Sequence, residues 1–291
     1  MTNMRKFEFI CCCFAALTMV SCGGDENDDD PVDLTVASSP KAFNYVTTVG
    51  NAAGFVSDAP RYEVVFDNNS KKAVVTMENI KLSESDEPKS YRFIDVPWTQ
   101  GDGGKAKVID VKSIVPDGYS NVVFDELDII YYGEEKMIDN VDCRGLAVEY
   151  EVNGTANVTM VPYRMVCGGT TETLNTMTSK KFVSTKTVYT IDLDPSTMTA
   201  DVTVSNASFD AAMPALRDML FEDVNLVLSD GGFELHSPQF IPSIAGTPYP
   251  SYAISNFYVD AEFDSDMELR FRCMKVFSVE ADLSSIYSPV N

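Results

Sequence analysis

Few side chains in this sequence have the type and spacing to do chemistry. The 291 residues contain one histidine, His236, in Gly232-Phe233-Glu234-Leu235-His236-Ser237. A general-base imidazole needs a serine or carboxylate brought to it by the fold. Carboxylate pairs occur at Asp125/Glu126, Glu134/Glu135 and Asp264/Asp266, and glycosidases need two carboxyls at a set separation. A chain with 44 acidic residues makes such pairs by composition alone. Asp192-Leu193-Asp194 offers oxygens to calcium, but no EF-hand loop surrounds it. No glycine-rich loop opens a helix as phosphate binding requires. The expectation is a non-enzyme with no catalytic residue, no metal site and no cofactor.

Two further groups of residues bear on binding. Cys143, Cys167 and Cys273 match no zinc spacing. A disulfide between Cys143 and Cys167 is open in an oxidising compartment, whereas Cys273, on the apolar side of an alternating run, reads as a core hydrophobe. Among aromatics, Trp98, Tyr249 and Tyr252 are the candidates for a ligand surface. Tyr249 and Tyr252 flank Pro250 in a proline-rich loop, which reads equally as a rigid strand connection. Trp98 aligns with Leu226 in the internal comparison below, and an aliphatic counterpart favours a core position.

The N-terminus reads as an address. Arg5 and Lys6 precede an apolar stretch from Phe9 to Val20, shorter than the roughly 20 residues a spanning helix needs. It ends in Thr18-Met19-Val20-Ser21-Cys22-Gly23-Gly24. This pattern resembles the lipobox of bacterial lipoproteins, which implies that Cys22 becomes the diacylated first residue of the mature chain. Residues 23–31 then carry five acids and no apolar side chain, the composition of a solvated tether. The arrangement resembles the acidic export signal of Bacteroidota surface lipoproteins. It implies an outer-membrane location with the body at the cell surface, a periplasm-facing anchor being the alternative.

The formal net charge is −22. Removing residues 1–21 takes one net positive charge, and six acids between Asp25 and Asp33 leave −17 on the rest. So acidic a surface excludes nucleic acid as a partner and confines membrane association to the acyl anchor.

The elements that would position these residues come in two copies. Residues 55–79 lie over residues 182–206 without a gap, and nine positions are identical: Phe55, Val56, Ser57, Tyr62, Asp67, Ala73, Val75, Thr76 and Asn79 meet the same types in the later segment. One residue further out of phase, 93–104 aligns with 221–232, each segment ending in Asp-Gly-Gly. Within each copy the hydrophobic period is two: Tyr62, Val64 and Phe66, a turn at Asn68-Asn69-Ser70, then Ala73, Val75 and Met77; and Tyr189, Ile191 and Leu193, a turn at Asp194-Pro195-Ser196, then Ala200, Val202 and Val204. Alternation around a turn-rich break predicts a β-hairpin. Only residues 213–220 suggest a short helix.

The predicted class is therefore all-β, with two tandem homologous antiparallel modules, each a sandwich or small barrel. The expected boundaries are a signal at 1–21, lipidated Cys22 and tether at 22–41, a first module at 42–168, a linker at 169–181 and a second module at 182–291. Tethered paired modules of this kind are similar to the calycin-like and related domains of Bacteroidota lipoproteins. That resemblance implies a non-catalytic envelope protein binding an extracellular glycan, lipid or protein, with a fimbrillin-like assembly subunit as the alternative. An enclosed apolar cavity would favour small-ligand binding, and exposed edge strands would favour assembly.

Overall fold

A computed structural model describes residues 33–101, 106–133, 136–138, 141–262 and 267–289. Asp33 onward is one compact unit, and it is all-β. In chain order the first half contributes β1 (Leu34–Ser38), β2 (Ala42–Thr48), β3 (Asn51–Asp58), β4 (Arg61–Asp67), β5 (Lys72–Ile80), β6 (Lys89–Pro97), β7 (Thr99–Gln100), β8 (Lys107–Ile114), β9 (Phe124–Tyr131), β10 (Lys136–Ile138), β11 (Val141–Arg144), β12 (Leu146–Val152) and β13 (Ala156–Pro162). The second half contributes β14 (Arg164–Asn175), β15 (Lys180–Ser184), β16 (Val188–Asp194), β17 (Thr199–Ser205), β18 (Met219–Ser229), β19 (Gly232–Phe240), β20 (Ser243–Ile244), β21 (Thr247–Pro248), β22 (Ile254–Glu262), β23 (Met267–Cys273) and β24 (Phe277–Pro289). Residues 213–220, expected to be helical, are irregular up to the start of β18.

The two aligned segments take the same local structure. In the first, Tyr62 pairs with Met77 and Asp67 with Lys72; in the second, Tyr189 pairs with Val204 and Asp194 with Thr199. The next strand repeats the match, down to an irregularity between Ala73 and Val75 in one copy and between Ala200 and Val202 in the other. Lys71, Asn79 and Asp95 have positive φ, as do their counterparts Met198, Asn206 and Asp223. Each hairpin turn is held by its aspartate. Asp67 accepts from the Ser70 hydroxyl at 2.7 Å, and Asp194 from that of Ser196 at 2.6 Å. Turn donors of this kind prefer a charged acceptor, which holds both carboxyls below the usual range.

Closure differs between the halves. In the second, the order β14-β16-β17-β18-β19-β22-β23-β24 returns to β14, giving an eight-stranded antiparallel barrel. β14 makes the closure possible: Arg164–Gly168 pairs with β16, while the strand also runs beside β24 with a register shift between Gly168 and Thr170. At that shift Gly169 lies against the Asp282 carbonyl so closely that a Cβ has no room, the close backbone approach that calls for glycine. Residues 169–181, expected to be a linker, are thus mostly barrel. Polar Thr171 and Thr173 are buried there, and β-branched threonine suits a strand.

The first half has the same strand sequence but opens into two sheets, β1-β4-β5-β6 and β3-β2-β13-β12-β9-β8-β7. One seam lies between β6 and β8, whose counterparts β18 and β19 pair through a turn at Gly231. Here Pro97 ends β6 and cannot donate to a neighbour. The other seam lies at β1. In register with β4, β1 takes the place that the start of β14 takes beside β16. Leu34–Ser38, within the segment expected to be tether, is therefore a strand of the fold. In the second half the long β24 covers the other side of that strand, pairing Tyr287 with Val166. Its counterpart β13 stops at Pro162, because the chain leaves there to begin β14.

Each half has its own core, and β2 is shared. Its residues are buried on both faces: Ala42 and Val46 belong to the first core, Phe43 and Tyr45 to the second.

Candidate interaction surface

At the end of β1 the seam leaves a cleft of about 710 Å³, lined by Ser39, Lys41, Asp58, Arg61, Glu78 and Tyr163 among others. Local sequence builds it. Pro40 interrupts the strand that would otherwise join β1 to β2, and Ala59-Pro60 turns β3 into β4 with Ala59 at φ +56°. Tyr163, the residue between β13 and β14, donates its hydroxyl to Asp58 at 2.9 Å. Burial first, and then the Asp58 carboxylate, push that hydroxyl up to about 12. It is a neutral donor at physiological pH and no base. The cleft is open and carries both signs of charge, so it is suited to contact with polar groups.

The β1 edge beside it is different in kind. Leu34-Thr35-Val36-Ala37-Ser38 has no charge, no proline and no bulge. Ala37 turns inward and is buried, while Leu34 and Val36 are 52% and 53% exposed. Hydrogen bonds from Asn68 to the Asp33 carbonyl and from Ser39 to the Tyr62 carbonyl fix the phase of the ladder with β4. Odd-numbered residues bond to β4, and the amides and carbonyls of Leu34, Val36 and Ser38 point away from it.

The inward residues of the second half's barrel, including Tyr189, Phe221, Phe257 and Phe271, form a continuous cluster, and the clefts lined by described residues are open to solvent. The first core packs around a polar thread. The Tyr62 hydroxyl donates to the Asn44 side-chain oxygen at 2.8 Å and lies 3.3 Å from that of Tyr150. Burial raises the Tyr62 hydroxyl far above its ordinary value, the two hydrogen bonds opposing. Thr171 and Tyr189, at matching positions of the second half, repeat the contact at 3.0 Å. The Asn44 amide nitrogen and its cross-strand neighbour Ser57 have no partner among the described residues.

The residues singled out from sequence fall as follows. Trp98 is 4% exposed and packs edge-on against Phe66 at 5.6 Å, so it is a core residue and no ligand platform. The ammoniums of Lys71 and Lys107 lie over its ring at 4.3 and 4.4 Å. Tyr249 and Tyr252 do meet, ring centres 5.5 Å apart, on a 3-10 turn at Pro250–Tyr252. Tyr249 is exposed, while Tyr252 packs on the second core. Trp98 belongs to the first core, so the three aromatics form no common surface.

His236 is exposed on β19 and contacts the Asn225 amide at 3.2 Å. Asp125 accepts from the Gly154 amide and Glu126 pairs with Lys112, so both carboxylates brace local structure. Glu134/Glu135 and Asp264/Asp266 lie outside the described residues. No group of three or more His, Cys, Asp or Glu able to hold a metal occurs among the described residues. Cys273 is buried with its thiol 3.9 Å from the Tyr252 carbonyl. Cys167 is buried in the barrel, and the side chain of Cys143 lies outside the described residues, as does Cys22.

Sequence reasoning missed β1, Asn44 and Tyr163. The alternation in Leu34–Ser38 was visible, but five residues behind an acidic run carry too little signal to stand out. The chain matches no family model and no curated protein.

Proposed function

We propose that this is a non-catalytic cell-envelope lipoprotein, held by an acyl group on Cys22 and displayed on an acidic tether, which recognises protein partners by strand pairing. Its two β modules derive from one duplicated unit, and its cell-surface position in a Bacteroidota-type outer membrane follows from the lipobox and tether. The observation that carries the reading is β1: a neutral edge with its outer hydrogen-bonding groups directed away from the sheet. Strand addition to such an edge gives affinity through the main chain. The open cleft, with Lys41, Arg61, Asp58 and Glu78 along it, supports a second reading in which a polar ligand such as a glycan binds there.

The test uses the full chain in its own membrane. A benzophenone side chain at Val36 should give protein adducts on illumination of cells, and the same group at exposed Val227 should not. Equal labelling at both positions, or none at Val36, would remove the strand-pairing reading. Labelling with a fatty-acid analogue should mark the wild type and leave Cys22→Ala unmarked.

A further inference from the structure

We infer that the strand which pairs with the β1 edge is β1 of a second copy of this chain, in a two-fold symmetric dimer centred on Val36. The inference rests on the strand-pairing reading and names its partner.

Natural proteins blunt exposed sheet edges with charge, proline, bulges, brevity or cover. The other edges here follow that rule. β6 carries Lys89, Arg92 and Pro97, with Asp95 at φ +59°. β15 begins with Lys180-Lys181, and β7, β10 and β21 have two or three residues. β3 has a register shift against β2 and lies against β18. β1 alone among these is five residues of flat, neutral strand. Its counterpart in the second half has this same side covered by β24, whereas among the described residues no strand pairs with that side of β1.

Three features select a second copy as the cover. First, the strand itself is neutral, so a second copy pairing along it buries no charge of either sign. Second, the outward groups belong to Leu34, Val36 and Ser38, which are spaced symmetrically about Val36. An antiparallel pairing of Val36 with Val36, Leu34 with Ser38 and Ser38 with Leu34 uses every one of them, which is the self-complementarity a two-fold interface requires. The exposed Val36 side chains then meet on the outer face. Third, the strand directly follows the tether, so anchoring in a shared membrane would hold this edge near the edges of other copies and raise their effective concentration.

The register makes the test specific. Directly opposed residues of a hydrogen-bonded antiparallel pair have Cα atoms about 5.5 Å apart, within disulfide reach. The full-length lipoprotein is kept in its membrane with Cys143→Ser, Cys167 and Cys273 being buried. Mild oxidation of Val36→Cys should then give a disulfide-linked dimer. Leu34→Cys alone should give at least tenfold less, because the two copies of residue 34 would lie four residues apart along the strands. Co-expressed Leu34→Cys and Ser38→Cys should restore the link. Val36→Pro removes an amide that points away from β4, so it should abolish that mixed link without lowering the melting temperature. Absence of the Val36→Cys dimer, or equal linking by Leu34→Cys, would overturn the symmetric pairing. If benzophenone at Val36 meanwhile marks a different protein, strand pairing stands and self-pairing falls; if it marks none, both fall.

Discussion

Replacing Asn44 with the threonine found at the matching position of the second half should stabilise the protein. Asn44 is fully buried. Its oxygen accepts from Tyr62, but its amide nitrogen has no partner among the described residues, and turning the amide over would only exchange the unmatched end. A buried donor left unpaired costs about 1–3 kcal/mol. Threonine has nearly the same volume, keeps an oxygen within reach of Tyr62 as Thr171 does for Tyr189, and suits a strand. Part of the gain is lost in refitting the smaller polar head, so Asn44→Thr should gain about 1 kcal/mol. For a body of this size that raises the melting temperature by about 2–4 °C. Asn44→Ala removes the acceptor as well and should lower stability by about 1–3 kcal/mol. The measurement is urea and thermal unfolding of the mature chain with Cys22→Ala, followed by near-ultraviolet circular dichroism, which reports the tyrosines of this core. A loss of stability in Asn44→Thr would refute the reasoning, since it would mean that the amide nitrogen contributes more than it costs. The reverse change, Thr171→Asn, should destabilise.

Two other outcomes follow from the same geometry. Asp67 is half-buried and Asp194 exposed, and both have pKa values held low in the folded state by turn hydroxyls and amides. Their contribution is therefore complete above the ordinary aspartate pKa of about 3.9 and is lost as pH falls through the lowered folded value. Asp67→Asn/Asp194→Asn should be less stable than wild type at neutral pH, with the gap closing as pH falls below the ordinary aspartate range; a gap independent of pH would refute this. Burial pushes the Cys273 thiol up to about 12, and the thiolate is the reactive form. A thiol reagent at pH 8 should leave Cys273 unmodified in the folded protein and modify it in denaturant, as peptide mass mapping would show.

How far the sequence could be read depended on how local the determinant was. The hairpins at Tyr62–Met77 and Tyr189–Val204 were legible because alternation and an aspartate turn act within about fifteen residues, and they formed in matching registers. The burial of Trp98 was legible through Leu226, since both lie in apolar cores. The stretch 169–181 was misread as linker because Thr171 and Thr173 look polar. In a strand such β-branched side chains pack well, and the Thr171 hydroxyl reaches that of Tyr189, a compensation that hydropathy does not register.

The sequence by itself determined the all-β class, the repeated hairpin and the acidity of residues 25–33, each a consequence of residue type and short-range order. Tertiary structure decided that one copy closes and the other opens. β24 runs on past the point where β13 must end, because a chain that has another half to build cannot also cover its own first strand. From that one difference in chain continuation come the cleft beside Tyr163 and the edge of β1 that no described strand pairs.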